Sequence, residues 1–216
     1  MKRTSVEAIF DCLAAEGPAP IPELNYSSPF ELLIAVILSA QATDISVNAA
    51  TARVFPHHNT PQALVKLGEA KFLEAIRTIG LAPTKARNVM AACRMLLEKH
   101  GGEVPRSREL LEELPGVGRK TANVVLNTAF GEPTIAVDTH VFRISNRTGI
   151  AKGKTVREVE DKLLRVVPKK HLQHAHHYLI LHGRYVCKAR KPECWRCLIA
   201  AQCGFKEKTL NEGQQK

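Results

Sequence analysis

The 216-residue chain is poor in aromatic side chains: one tryptophan, three tyrosines and seven phenylalanines make up 5% of it. Its core must be mainly aliphatic, which the 44% hydrophobic content allows. No apolar run reaches the roughly 18 residues of a membrane-spanning helix, and the stretch at 32–38 gives way to polar residues within a turn or two. A secretory signal is missing as well, because Glu7 and Asp11 stand where its apolar segment would be. There is no repeat of fixed period, no low-complexity tract and no long linker. Period-two alternation is also lacking; the IAV at 135–137 is the best strand candidate and is too short to count. An all-α fold is expected. Two nucleotide motifs are absent from the LPGVGRKTAN at 114–123. Arg119 separates Gly118 from Lys120, which breaks a P-loop, and Thr121 stands where a dinucleotide fingerprint needs its third glycine.

Acidic residues are the scarcer charge, 21 against 31 lysines and arginines, giving a formal +10. That excess favours a polyanionic partner, nucleic acid first. The 114–123 stretch suits such a partner once the two motifs are set aside. It reads as a side-chain-poor turn opening a helix at Arg119, a geometry that presents amide N–H groups to an anion.

Helix signals are frequent. Ser28-Pro29-Phe30-Glu31 is a capping box before an apolar run, and Thr155-Val156-Arg157-Glu158 repeats it ahead of Val159, Leu163, Leu164 and Val167. Thr84 is expected to cap a helix carrying Val89, Cys93, Leu96 and Leu97 and ended by Gly101-Gly102. Gly131 and Pro133 close the helix begun at Arg119, so a lobe boundary is expected there, and a mobile tail from Lys206 onward. The histidines of HLQHAHHYLILHG lack an H-E-x-x-H pattern or paired carboxylates and are read as core or surface residues.

Of six cysteines, Cys12 and Cys93 sit alone in apolar helical settings and read as small buried hydrophobes. Cys187, Cys194, Cys197 and Cys203 form C-x6-C-x2-C-x5-C. Disulfides suit an intracellular chain poorly. Zinc folds usually pair two short knuckles, and only Cys194 and Cys197 make one here, so zinc stays open while the wider spacings favour a 4Fe–4S cluster. A metal centre would fix Lys188, Arg190 and Lys191 on a rigid knob able to grip phosphate; the plain alternative is a solvated charge run.

Taken together, LPGVGRKTANVVL, the VDTH at 137–140, the cysteine spacing, the SAQATD at 39–44 and the TIGL at 78–81 resemble the iron–sulfur branch of the helix-hairpin-helix DNA glycosylases, and within it the endonuclease III family. The likeness runs over about residues 20–205. It implies a six-helix barrel at 22–132, a cluster lobe from 1–21 plus 133–205, a flexible tail at 206–216, and DNA crossing the cleft between the lobes. It also implies removal of oxidised pyrimidines from double-stranded DNA, with cleavage at the abasic site, by a monomer of the cytoplasm and nucleoid that has no membrane role. Lys120 would be the nucleophile. Its amine must be neutral to attack the sugar, and the positive end of its helix, a partly desolvated cleft and neighbouring Arg119 favour that form; the plainer role is phosphate binding. Asp138 would be the catalytic carboxylate, or an N-cap, or both. Pro115, Gly116, Val117, Gly118 and Arg119 would hold a phosphate near the target, and Gln41 and Leu81 would enter or prop the gap left by the extruded nucleotide. Two other activities are weighed beside this one. An adenine-mismatch glycosylase of the same branch lacks the lyase lysine and carries an extra C-terminal domain, and a non-catalytic iron–sulfur protein would bind or sense without cutting.

Overall fold

Among the described residues, oxygen-bearing side chains start six of the helices. Ser28 Oγ accepts from Glu31 N at 3.2 Å, Thr43 Oγ1 from Ser46 N at 3.2 Å and Thr60 Oγ1 from Ala63 N at 3.2 Å. Ser107 Oγ accepts from Leu110 N at 3.4 Å, Asp138 Oδ1 from Val141 N at 2.8 Å and Thr155 Oγ1 from Glu158 N at 3.2 Å. Each satisfies a donor that the first helical turn would leave orphaned.

The computed structural model describes residues 2–17 and 22–209, and among these every regular element is helical. The order is α1 (Arg3–Glu16), α2 (Pro29–Ser39), α3 (Asp44–Thr51), α4 (Pro61–Leu67), α5 (Glu69–Ile76), α6 (Ala82–His100), α7 (Arg108–Glu112), α8 (Arg119–Phe130), α9 (Thr139–Thr148), α10 (Val156–Val166) and α11 (Leu172–Tyr185). The chain divides into two compact units, residues 22–132 and residues 1–21 with 133–216.

The unit at 22–132 holds seven helical segments, where the resemblance implies six. The count turns on short pieces: Gly68 at φ +85° breaks α4 from α5, and α7 has five residues. Residues 30–38 of α2 are all buried, and α2 packs on α3, α6 and α8. Leu33, Ile34 and Leu38 have no exposed surface, each contributing roughly 2 kcal/mol by its burial. Glu31 closes its box one residue earlier than expected, accepting from Ser27 N at 2.6 Å and Ser27 Oγ at 2.7 Å. Thr84 does not cap α6. That helix starts two residues before it, at a left-handed Leu81 with Pro83 in the first turn, which places Thr84 inside. Gly101 at φ +61° ends α6 as expected.

In the other unit Val6, Ile9, Phe10 and Leu13, one face of α1, join Ile144, Leu163 and Leu179 in a second core. His171 ties the N-terminal segment of this unit to the segment that follows Pro133. Its Nε2 lies 2.7 Å from Asp11 Oδ1 and its ring stacks on Phe10 at 5.9 Å. Hydrogen bonds from Lys170 and then His171 hold the Asp11 carboxyl below its ordinary range. Residues 135–137 are buried without strand pairing, and His176 Nδ1 donates to the Ala136 carbonyl at 2.8 Å. The expected tail at 206–216 lies outside the described residues from 210 on; before that, Thr209 Oγ1 donates to Pro192 O and accepts from Cys194 N at 3.4 Å.

Burial, then His176 and His174, push the His177 pKa from 6.5 down to about 4. Between those values the unfolded chain binds a proton that the fold refuses, so the His177 contribution to stability is complete above pH 6.5 and lost as pH falls toward 4. Unfolding free energies of the wild type should therefore drop more steeply over that interval than those of His177→Gln; parallel curves would contradict the assignment.

Candidate functional site

Within the unit at 22–132, residues 114–118 form the turn between α7 and α8. Leu114 N donates to Leu111 O at 3.1 Å and Val117 N to Leu114 O at 3.0 Å, with all three side chains buried. Two of the residues expected to offer amides outward therefore do not: Pro115 has no N–H, and the Val117 N–H is already engaged. The outward donors are those of Gly116, Gly118 and the first turn of α8.

The two glycines differ in kind. Gly116 has φ +83°, and a Cβ on it would lie 3.0 Å from Asn88 Cβ and 3.2 Å from Ile37 Cγ2, so the fold itself requires glycine. Gly118 has φ −100° and ψ 177°, open to any residue, and a Cβ there would meet nothing within 4 Å. Its bareness serves nothing inside the chain. Because Gly118 is also the N-cap, α8 starts with no side-chain cap and no acid in its first turn. The positive end of a 12-residue helix is thus left without a side-chain cap, an end that favours an anion.

Arg119 and Lys120 flank that site. The Arg119 guanidinium is 3.8 Å from Glu112, while exposed Lys120 carries no ion pair or hydrogen bond among the described residues. Glu113, on the same surface, pairs with Lys99 at 3.6 Å.

Gln41 (φ 55°) and Leu81 (φ 61°) are the only non-glycine residues of the described chain in the left-handed region. Such backbones cost about 1–2 kcal/mol each and persist where the surroundings impose them. Their loops abut, since a Cβ on Gly80 would lie 3.8 Å from the Gln41 carbonyl. Leu81 is 59% exposed and Ile45, at the start of α3, 83%. Ile45 was not legible as a surface residue, because an isoleucine in a first helical turn ordinarily reads as core.

In the other unit, Asp138 caps α9 through Oδ1, leaving Oδ2 without a protein partner among the described residues. One turn on, Arg143 donates to Gly183 O at 2.8 Å and Cys187 O at 3.2 Å, and lies 3.2 Å from His140 Nδ1. Arg147 donates to Lys188 O at 2.7 Å and Ala189 O at 2.9 Å. Both arginines were missed as structural residues; a guanidinium that holds a loop by its carbonyls leaves no local sequence signature.

Cys187, Cys194, Cys197 and Cys203 line one cavity, closed by Val186, Ile199 and Phe205. Arg147 Nη1 is 3.5 Å from Cys187 Sγ, Phe205 N 3.5 Å from Cys203 Sγ, and His182 Nε2 3.4 Å from Cys197 Sγ. Burial and the neighbouring thiols raise Cys197 to about 11. Among the described residues no three such side chains converge as they would on a single ion; the thiols ring a cavity instead. Of the expected phosphate contacts beside it, Lys188 is paired with Glu193, which also holds Arg196. Arg190 and Lys191 are exposed. Cys93 is fully buried, its thiol pushed up to about 12 by desolvation, while Cys12 is partly exposed.

Residues 34–169 match the family model described as HhH-GPD superfamily base excision DNA repair protein. Endonuclease III of Escherichia coli K12 is 62% identical over 196 residues, covering 91% of this chain and 93% of that one. Endonuclease III of Haemophilus influenzae is 60% identical over 208 residues, covering 96% and 99%. A trapped endonuclease III–DNA covalent intermediate superposes with a TM-score of 0.88 at 45% identity, covering 94% of this chain and 96% of that one. A thermostable thymine-DNA glycosylase shares the fold at TM-score 0.81 and 24% identity.

Gly116→Ala should lower unfolding stability by about 2 kcal/mol, from the left-handed backbone and the contact with Asn88. Gly118→Ala, free of strain and of contacts, should lose only about 0.5–1 kcal/mol, from the poorer preference of alanine for an N-cap. Urea denaturation compares them, and equal losses would erase the distinction between the two glycines.

Proposed function

The chain belongs to the endonuclease III family of the HhH-GPD base excision DNA repair proteins and is a DNA glycosylase and abasic-site lyase, and we propose that its chemistry runs through Lys120 on oxidised pyrimidines in duplex DNA. One observation carries this reading: an exposed lysine, without an ion pair among the described residues, in the first turn of a helix that has no side-chain cap.

A base inside a duplex is out of reach, so the nucleotide is extruded at a cost of a few kcal/mol. The amides of Gly116, Gly118 and the first turn of α8 hold the adjoining phosphate, and Gly118 lets it approach without a Cβ in the way. Gln41 and Leu81, already in high-energy backbone, enter or prop the gap. The neutral Lys120 amine attacks C1′. The C1′–N bond to the base breaks, the sugar ring opens, and a Schiff base joins Nζ to C1′. Loss of the C2′ proton then expels the 3′ phosphate by β-elimination, and water releases the enzyme. Asp138 keeps one oxygen for its cap and offers the other to accept the lysine proton or to stabilise positive charge at C1′. An adenine-mismatch activity is disfavoured by Lys120 itself.

The donor set suits an iron–sulfur cluster better than a lone zinc ion. Four thiols face one largely apolar cavity, and N–H groups from Arg147 and Phe205 approach two of the sulfurs. Cys187, Cys194, Cys197 and Cys203 would hold a 4Fe–4S cluster, whose contribution when bound is to fix the loop that carries Arg190 and Lys191. The enzyme acts as a monomer with the chromosome, in the cytoplasm. No helix of the described residues is long and apolar enough to cross a membrane.

Borohydride should trap wild type covalently on a duplex containing thymine glycol, and Lys120→Gln should give no adduct. An undiminished adduct from the variant would remove Lys120 from the chemistry. Cys197→Ser should lose the brown absorbance of the purified protein and expose residues 187–203 to protease; a colourless wild type that resists protease equally would remove the cluster from the account.

A further inference from the structure

Beyond the hairpin, we propose that the face of α9 leading away from Asp138 is a second track for DNA, taking backbone phosphates of a strand that flanks the target. The inference rests on the DNA-lyase reading above and adds a contact surface to it.

Residues 138, 142 and 146 lie along one side of α9, as do 139, 143 and 147, because positions four apart are neighbours on a helix. Two hollows of this unit meet at Phe142. One runs from Asp138 past Lys154 and Val156; the other is lined by Arg143, Arg147, Lys152, Phe205 and Lys206. Five cations border the pair of hollows, against Asp138 and Glu207. The 10 residues of α9 span about 15 Å, comparable to the axial rise of roughly four nucleotides of one strand at 3.4 Å each.

The cations divide by role. Arg143 and Arg147 each turn two nitrogens onto main-chain carbonyls and act as fixed positive charge in the hollow's lining. Lys152, Lys154 and Lys206 are exposed and make no ion pair among the described residues. Their backbones are nonetheless pinned. Gly153 N donates to Asn146 Oδ1 at 3.0 Å, and a Cβ on Gly153 would meet Val159 Cγ2 at 3.0 Å. Gly204 N donates to Thr148 O at 2.9 Å, and a Cβ there would come within 2.8 Å of the same oxygen. Flexible ammonium groups on fixed mounts, in hollows also lined by Phe142 and Phe205, suit a sugar–phosphate backbone better than a compact ligand. These contacts position the strand and read no base.

The test compares wild type with Lys152→Ala/Lys206→Ala on duplexes carrying a non-cleavable abasic analogue, one with long flanks and one trimmed to a few base pairs on each side. On the long duplex the slope of log affinity against log salt should shrink by about 1.8, making the affinity loss between 50 and 200 mM salt about tenfold smaller. On the trimmed duplex the slopes should coincide, and borohydride trapping through Lys120, read on a trimmed duplex that carries a natural abasic site, should match wild type. A control, Lys66→Ala/Lys71→Ala, removes the same charge from exposed sites of the other unit and should leave the slope closer to wild type. Coincident slopes on the long duplex, an equal change on the trimmed one, or an equal change in the control would each overturn the track. If wild type itself traps no substrate, the lyase reading fails instead.

Discussion

The anion site proposed in the unit at 22–132 depends on a helix N-terminus that no side chain caps. Six helices of this protein begin with a side-chain oxygen turned onto the first turn, whereas α8 begins with Gly118 and nothing turned inward. Replacing a capping side chain by glycine costs only a few tenths of a kcal/mol, far less than alanine would. The orphan donors are therefore cheap to maintain in water and available to phosphate. A side chain at that position could satisfy the amides only by taking the place of the ligand.

The site is held rigid by ordinary aliphatic packing. Gly116 sits against Asn88 of α6 and Ile37 of α2, so the turn is wedged between two helices whose ends carry the other expected DNA contacts. Gln41 lies two residues beyond the end of α2, and Leu81 is the N-cap of α6. The core that fixes the hairpin thus also fixes the two left-handed residues, which is how such backbone persists without glycine. In the other unit α9 plays a comparable part, with Asp138 at its start and Arg143 and Arg147 bracing the cysteine loop by its carbonyls.

Legibility in the sequence followed the range of the interaction. Ser28, Thr155, Gly101 and Gly131 declare helix ends because a cap is a contact over three residues, and the structure places caps at each. Asp138 was readable as a cap for the same reason, and the four cysteines as a group because they lie close together in sequence. Thr84 misled because the true start of α6 is a leucine in left-handed backbone, imposed by neighbours distant in sequence. Lys188 looked like a free cation, but Glu193 five residues on takes it, and only the fold of the loop brings them together. The difference between Gly116 and Gly118 was equally hidden, since it depends on what stands next to each in space.

The pairing of Asp11 with His171, 160 residues apart, has a consequence for the order in which the protein comes into being. At about 5–20 residues per second on the ribosome, α1 emerges roughly 8–30 s before its partner helix exists. Meanwhile the whole 22–132 unit can fold beside it. Val6, Ile9, Phe10 and Leu13 then form an apolar stripe with nowhere to go, so the nascent chain has a window in which a chaperone or a neighbouring polysome product competes for its first helix.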